Sequence, residues 1–369
     1  MAIHVLLLID TLSLGGAEYQ VVTDANLLAD SGLQVVVGFF GDGPLRERLS
    51  SRVSPVLLEH TGWLGQALAV RRLCRERQVD LIQTHMWRAN AVGSLAGRSL
   101  RIPVIVTEHG MELWRRPKHI WVARLSYRLA SRVVAVCEAT RQVRIRRDRI
   151  APDCISVLYN CFDPLRVVGK AQPNTQELRR SLGIPPEARV IGFIGRLHPV
   201  KRLDLLVEIA AIVSGACPNA VFLLVGDGPA GGEVESLLLQ KGLADHFRLL
   251  GYQSAIADYL ALMDLLVLTS EREGLPIVIL EASASGIPAV AFDVGGVSEA
   301  VEHGRTGFVV PFGDLVEFSQ QVLRLLADQA LRAEMGRQAR LRAWAQFSPE
   351  ARLSSLLAAY RALVGGQGQ

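Results

Sequence analysis

The sequence predicts an α/β protein made of two doubly wound parallel sheets. Three observations carry this. Short apolar runs alternate with helical patterns along the whole chain. The two halves open alike: HVLLLIDTLSLGGAEYQVV and RVIGFIGRLHPVKRLDLLVEIA each read as strand, Gly-containing turn and helix. At 369 residues, the chain exceeds one ordinary core.

The strand candidates in the first half are 3–9, 34–40, 79–82, 103–107 and 133–136. In the second half they are 189–194, 220–225, 247–250, 265–269 and 288–292. The expected division is a first domain over 1–165, a linker over 166–187, a second domain over 188–347, and a helix and tail over 348–369. The linker is rich in Pro and polar residues and carries Pro185-Pro186. The last helix is expected over 349–364, with Ser348 as its N-cap. Open doubly wound sheets bind ligands beyond the carboxyl ends of their strands, so a cleft between the halves is the expected site.

Composition narrows the class. Half of the residues are hydrophobic and 21% are charged, as in a folded soluble protein. No run approaches the length of a transmembrane helix, and MAIHVLLLID lacks a basic leader, so it reads as a first strand and not a signal peptide. Cys74, Cys137, Cys154, Cys161 and Cys217 make no C-x-x-C pair, and are expected as reduced thiols in a cytoplasmic protein. Charge is uneven: Met1–Leu165 holds 21 Lys and Arg against 15 Asp and Glu. Most of that excess lies in 114–149, where Trp114, Trp121 and Tyr127 are interleaved with 11 basic residues. That segment reads either as a solvated helix face or as a surface for an anionic membrane or a lipid-linked, phosphate-bearing acceptor. A net charge of +4 and the lack of any nucleic-acid motif argue against a nucleic-acid partner.

The stretch EREGLPIVILEASASGIP predicts a helix of roughly ten residues. Pro276 would be its first position, Gly286 its left-handed end and Pro288 its stop. Glu273 precedes this helix and Glu281 falls in its second turn, so both carboxylates can face one helix mouth. Arg196 and Lys201, in Gly195-Arg196-Leu197-His198-Pro199-Val200-Lys201, form a candidate diphosphate clamp after a strand. No D-x-D occurs to hold a metal in their place; Glu271-x-Glu273 is the nearest approach. Gly15-Gly16-Ala17-Glu18 makes the first turn of the first half. It is not G-x-G-x-x-G, which disfavours a nicotinamide dehydrogenase. His109 follows Val106-Thr107-Glu108 at a strand end, and Gly226-Asp227-Gly228-Pro229 and Gly295-Gly296 are further post-strand loops.

Taken in order, G-G-A-E, T-E-H-G, G-R-L-x-x-x-K, G-D-G-P, E-G-L-P-x-x-x-x-E and G-G-V-x-E-A-V-x-x-G-x-T-G-F-V-V-P resemble the family 4 glycosyltransferases over nearly the whole chain. The resemblance implies the two-domain GT-B fold, with the last helix returning to the first domain. It also implies metal-independent sugar transfer from a nucleotide sugar, UDP- or GDP-linked, with retention of configuration and no cofactor. Arg196 and Lys201 would then hold the diphosphate, Glu281 the ribose hydroxyls, and Glu273 the transferred sugar. Amides of Gly274, Leu275 and Ile277 would surround sugar and phosphate. Gly15 and Gly16 would approach the diphosphate from the first domain, His109 would lie beside the sugar, and Gly251 and Tyr252 would hold the base. A lipid-linked or cell-envelope polysaccharide acceptor would place the enzyme in the cytoplasm, peripheral to the inner face of the membrane. Three departures stand out: Cys161 where the family has Gly, Cys137 where Ser is common, and Arg202 after Lys201. An epimerase or phosphorylase of the same architecture, or a non-catalytic nucleotide-sugar or glycan binder, stays open as an alternative.

Overall fold

The computed structural model describes residues 3–59, 62–111, 115–167 and 175–365. The chain forms two compact units, Met1–Asn160 with Pro349–Gln369 and Cys161–Ser348.

The first unit is a seven-stranded sheet in the order β3-β2-β1-β4-β5-β6-β7. Its strands are β1 His4–Thr11, β2 Gln34–Gly41, β3 Val53–Leu57, β4 Leu81–His85, β5 Val104–Glu108, β6 Arg132–Ala135 and β7 Ile155–Val157, and neighbours pair in parallel. Parallel sheets are covered on both faces, which explains why β1 is an unbroken apolar run. Val5, Leu7 and Ile9 pack into the cluster under helices α1 Gly16–Asp30 and α15 Pro349–Val364. Leu6 and Leu8 point the other way, into the cluster under α2 Trp63–Glu76, α3 Trp87–Leu100 and α4 Pro117–Leu129. Helix α5 Glu138–Asp148 joins β6 to β7.

The last helix packs on the first unit, as expected. Arg352 is buried and donates from Nε and a terminal nitrogen to both oxygens of buried Asp24, at 3.0 and 2.7 Å. Its other terminal nitrogen donates to the carbonyls of Leu158 and Tyr159, at 2.9 and 2.8 Å. Further along α15, buried Tyr360 donates its hydroxyl proton to Gln83 on β4.

The second unit is a six-stranded sheet in the order β10-β9-β8-β11-β12-β13. These are β8 Arg189–Ile194, β9 Ala220–Val225, β10 Phe247–Leu249, β11 Leu265–Leu268, β12 Ala289–Phe292 and β13 Gly307–Val310, again paired in parallel. Around it run α6 Pro164–Val167, α7 Thr175–Ser181, α8 Leu203–Ala216, α9 Gly231–Gln240, α10 Ile256–Leu260, α11 Ile277–Ala284, α12 Val297–Ala300, α13 Leu315–Ala327 and α14 Gln329–Gln346. In each sheet the strand order reverses beside the first strand of the unit, between β1 and β4 and between β8 and β11.

The central strands match the expected runs to within two or three residues at their ends. Strands β3, β7 and β13 were not expected, and all three lie at a sheet edge. Pro55 interrupts β3, β7 has three residues, and β13 opens on Gly307, so each lacks the long apolar signal of a central strand. Helix α11 has 8 residues, and Pro276 is its N-cap, in extended conformation, instead of its first residue. Residues 161–167, divided in the sequence reading between first domain and linker, belong to the second unit. Within the expected linker, 168–174 lie outside the described residues, as do 366–369 of the tail.

Removing one partner of a buried ion pair strands the other, at a cost of about 3–5 kcal/mol. Arg352→Ala should therefore destabilise the protein by that amount in chemical denaturation. Pairing it with Asp24→Asn should restore a substantial part, because no buried charge is then left alone.

Candidate functional site

The carboxyl ends of the second sheet carry most of the sequence-predicted residues. Between β8 and α8 the chain makes the loop Gly195–His198 and a single tight turn, Pro199–Lys201. His198 fixes this turn by accepting from the amide of Val200 through Nδ1, at 3.2 Å. The turn aims Lys201 across the strand-order reversal. Its ammonium donates to Glu273 Oε1 at 2.7 Å, and both side chains are largely buried. Glu273 lies in the loop from β11 to α11, so this pair spans the switch point where doubly wound sheets take ligands. Thr269 Oγ1 donates to the Lys201 carbonyl at 2.9 Å, and the Glu271 amide donates to the Val200 carbonyl at 2.9 Å, holding the two loops in register. Arg196 is exposed on the same loop as Lys201, and its side chain makes no ion pair among the described residues.

Glycines bring the loops into backbone contact. A Cβ on Gly226 would lie 1.9 Å from the Gly195 carbonyl oxygen, and one on Gly295 would lie 1.9 Å from that of Glu273. Amides continue the lattice: Gly226 donates to Gly251 at 2.8 Å, and Gly296 donates to Gly274 at 2.8 Å. Gly251 and half-exposed Tyr252 thus sit at the β10 side, while Gly274, Leu275 and Ile277 lead into α11 beside Lys201 and Glu273.

Glu281 is buried on α11, and its Oε1 lies 3.2 Å from Nε of Arg166, itself buried on α6. Sequence reasoning missed Arg166 by assigning it to the linker. The available signal was Asp163-Pro164, a helix start in which Asp163 accepts from the Leu165 amide at 2.9 Å.

In the first unit Gly15 caps α1, and a Cβ there would meet the carboxylate of Glu18 at 2.3 Å, whereas Gly16 has open space. Glu18 turns back over this turn and accepts from Ser13 Oγ at 3.1 Å. His109 follows β5 and shares a 2.8 Å hydrogen bond, Nε2 to Nδ1, with His85 at the end of β4. The other ring nitrogens, His109 Nδ1 and His85 Nε2, are buried without a hydrogen-bond partner among the described residues. Burial and the charge of Arg352 keep both rings neutral, with His109 pushed down to about 3 and His85, which also has His109 beside it, well below its usual range. One proton lies between the rings, so one outer nitrogen is a donor and the other an acceptor. Asp10, at the end of β1, accepts from the Ala89 amide at 2.7 Å, and burial pushes its carboxyl up to about 6. His85 and Asp10 were not anticipated; both are polar residues closing an apolar run, as His109 nearly is.

The basic segment 114–149 is not one exposed surface. Arg115 and Arg144 are buried with Glu108 and Asp148: Arg115 donates to Glu108 at 2.8 Å and Arg144 to Asp148 at 2.8 Å. Tyr127 is also buried and donates to Asp148 at 2.9 Å, while Trp114 lies outside the described residues. These charges fix Arg115 and the Met111 carbonyl beside the end of β5. Among the described residues no three His, Cys, Asp or Glu side chains are grouped as a metal site would require, and no helix is long and apolar enough to cross a membrane.

Two measurements test these arrangements. Gly226→Ala adds a methyl group at φ 145°, against the Gly195 backbone. It should cost about 3 kcal/mol or more of stability and move the Arg196 loop, read by denaturation and by the loop's amide signals. Asp10 has a folded pKa above its ordinary 3.8, so its contribution is full below 3.8 and is lost as pH rises through about 6. Asp10→Asn should therefore stabilise the protein at neutral pH by about 3 kcal/mol and change nothing near pH ~3.5. A mutant-to-wild-type difference that stays flat with pH would refute the assignment.

Comparison with known proteins agrees with this geometry. The model described as "Glycosyltransferase Family 4" matches residues 14–166, and that described as "Glycosyl transferases group 1" matches residues 174–342. A 2-deoxystreptamine glucosyltransferase of Streptomyces kanamyceticus is 30% identical over 302 residues, 77% of this chain and 78% of its own. A 2-deoxystreptamine N-acetyl-D-glucosaminyltransferase of Streptomyces fradiae is 31% identical over 347 residues, 84% of this chain and 82% of its own. The solved structure of Anabaena Alr3699/HepE in complex with UDP and glucose superposes with a TM-score of 0.88 at 27% identity, covering 98% of this chain and 100% of that one. Matching motifs, two doubly wound sheets and relatives along most of the length lead to one conclusion: the chain belongs to the family 4 glycosyltransferases, with the GT-B fold.

Proposed function

We propose that this protein is a retaining, metal-independent glycosyltransferase that moves a sugar from a UDP-linked donor to a lipid-linked or cell-envelope glycan acceptor. The observation that carries the reading is the Lys201–Glu273 pair, 2.7 Å apart across the switch point of the second sheet, with Arg196 exposed on the same loop as Lys201. In this reading Arg196 and Lys201 bind the diphosphate, Glu273 orients Lys201 and contacts the sugar, and Glu281, held beside Arg166, receives the ribose hydroxyls. Amides of Gly274, Leu275 and Ile277 face the sugar and phosphate, and Gly251 and Tyr252 hold the base.

The choice of UDP draws on the Anabaena structures, solved with UDP, with UDP and glucose, and with UDP-glucose, at 26–27% identity. The acceptor class draws on an Escherichia coli relative, 24% identical over 335 residues, named UDP-Gal:alpha-D-GlcNAc-diphosphoundecaprenol alpha-1,3-galactosyltransferase. In the transfer, the bond from the anomeric carbon to the diphosphate oxygen breaks and its electron pair stays on that oxygen. The acceptor hydroxyl forms the new bond on the same face, and its proton passes to the departing phosphate. Fixed cations meet the charge that develops on the diphosphate, and this differential binding lowers the barrier.

The test is nucleoside diphosphate release over a panel of nucleotide sugars, with and without acceptors. Arg196→Ala and Lys201→Ala should each raise the barrier by more than about 2 kcal/mol in kcat/KM, and near-normal turnover of either variant would sink the clamp. Product analysis separates transfer from epimerisation, which would need no acceptor.

A further inference from the structure

Helices α2, α3 and α4 cover one face of the first sheet, sharing a single apolar cluster with it. Their outward sides therefore form one surface layer, and that layer is unusual in two independent ways. First, it is apolar where it meets water. Seven large apolar side chains are exposed in the first unit among the described residues, and six are on these helices: Trp63, Leu64, Leu68, Leu95, Trp121 and Leu125. Leu64 is 70% exposed and Trp121 67%. They follow helical spacing, with Leu64 and Leu68 one turn apart on α2 and Trp121 and Leu125 one turn apart on α4. Second, the layer is cationic. Together the three helices carry eight Lys and Arg against one acidic residue, Glu76, which pairs with Arg72 at 2.6 Å. Helices α3 and α4 contain no acid at all. On the opposite face of the sheet, α1 has three acids and no Lys or Arg.

Exposed Trp and Leu alone would suit any apolar partner. Flanked by Lys118 and Arg128 on α4 and by Arg98 on α3, they match a bilayer interface, where rings and aliphatic chains enter the headgroup boundary and cations meet anionic lipid. We propose that the outer surface of α2–α4 docks this protein onto an anionic membrane, with Trp121 and Leu125 as the inserted residues. Arg115, Arg144 and Tyr127, buried in the ion network, take no part. The inference extends the acceptor part of the proposed function by placing a lipid-linked acceptor at the surface the protein sits on. Its test uses neither donor nor acceptor, so it can fail while sugar transfer stands.

The experiment is cosedimentation with vesicles of phosphatidylcholine containing about one third phosphatidylglycerol, beside vesicles of phosphatidylcholine alone. The wild-type protein should bind the anionic vesicles and release them as salt is raised. The double variant Trp121→Glu/Leu125→Glu should bind at least about tenfold more weakly. Arg98→Gln/Arg128→Gln should weaken binding by about 25-fold, about fivefold per cation. All four side chains are on helix surfaces, and unchanged thermal unfolding confirms that the variants fold. Should a variant fail to fold, quenching of wild-type tryptophan fluorescence by bromine-labelled lipid reads the same insertion. Equal binding to both kinds of vesicle, equal binding by the Trp121/Leu125 variant, or no quenching would overturn the proposal. So would a self-association that disappears in that variant without any vesicle binding, since the layer would then join two copies of the chain.

Discussion

The organisation of the chain depends on one guanidinium. Arg352 directs its nitrogens to Asp24 on α1 and to the carbonyls of Leu158 and Tyr159, just before the chain leaves the first unit. Gln20 donates to the same carboxylate at 2.8 Å. A buried ion pair is worth having only when its remaining hydrogen-bonding positions are filled, and here they are. The contact sets the position of α15 on α1. It also places Leu356, Ala359 and Tyr360 in the cluster that covers Val5, Leu7 and Ile9.

The two sheets end in chemically different mouths. In the second unit, glycines let loops touch backbone to backbone, and the groups left to meet a ligand are cations and helix amides. In the first, burial raises Asp10 to about 6 and holds the histidine pair uncharged, so at neutral pH this mouth offers a carboxylate and neutral imidazole nitrogens in place of cations. The first kind of surface suits phosphate and the second suits hydroxyl groups. This division follows from burial: polar groups enclosed at the end of a covered sheet lose charge unless a partner compensates.

Much of this was legible in the sequence. Apolar runs located the central strands because a strand buried on both faces must be apolar throughout. Edge strands, half relieved of that demand, left no such trace. Motif spacing put Arg196, Lys201, Glu273 and Glu281 at the carboxyl ends of one sheet, but it could not show that Lys201 and Glu273 would pair. Arg166 and His85 escaped because their partners are remote in sequence or attached to another strand. The basic segment divides between core and surface for the same reason. Linear density counts Arg115 as a surface charge, yet its acceptors Glu108 and Asp148, 7 and 33 residues away, draw it into the core.

The closing helix also has a consequence for how the chain is made. Synthesis proceeds from the amino terminus, and domains ordinarily fold in that order. Here residues 161–348 contain everything their own sheet needs, while the first sheet waits for α15 to cover one of its faces. The unit that begins the chain is therefore the last to be completed. Until residue 364 has emerged from the ribosome, the apolar side of β1 and α1 lacks its cover and is a natural client for a chaperone.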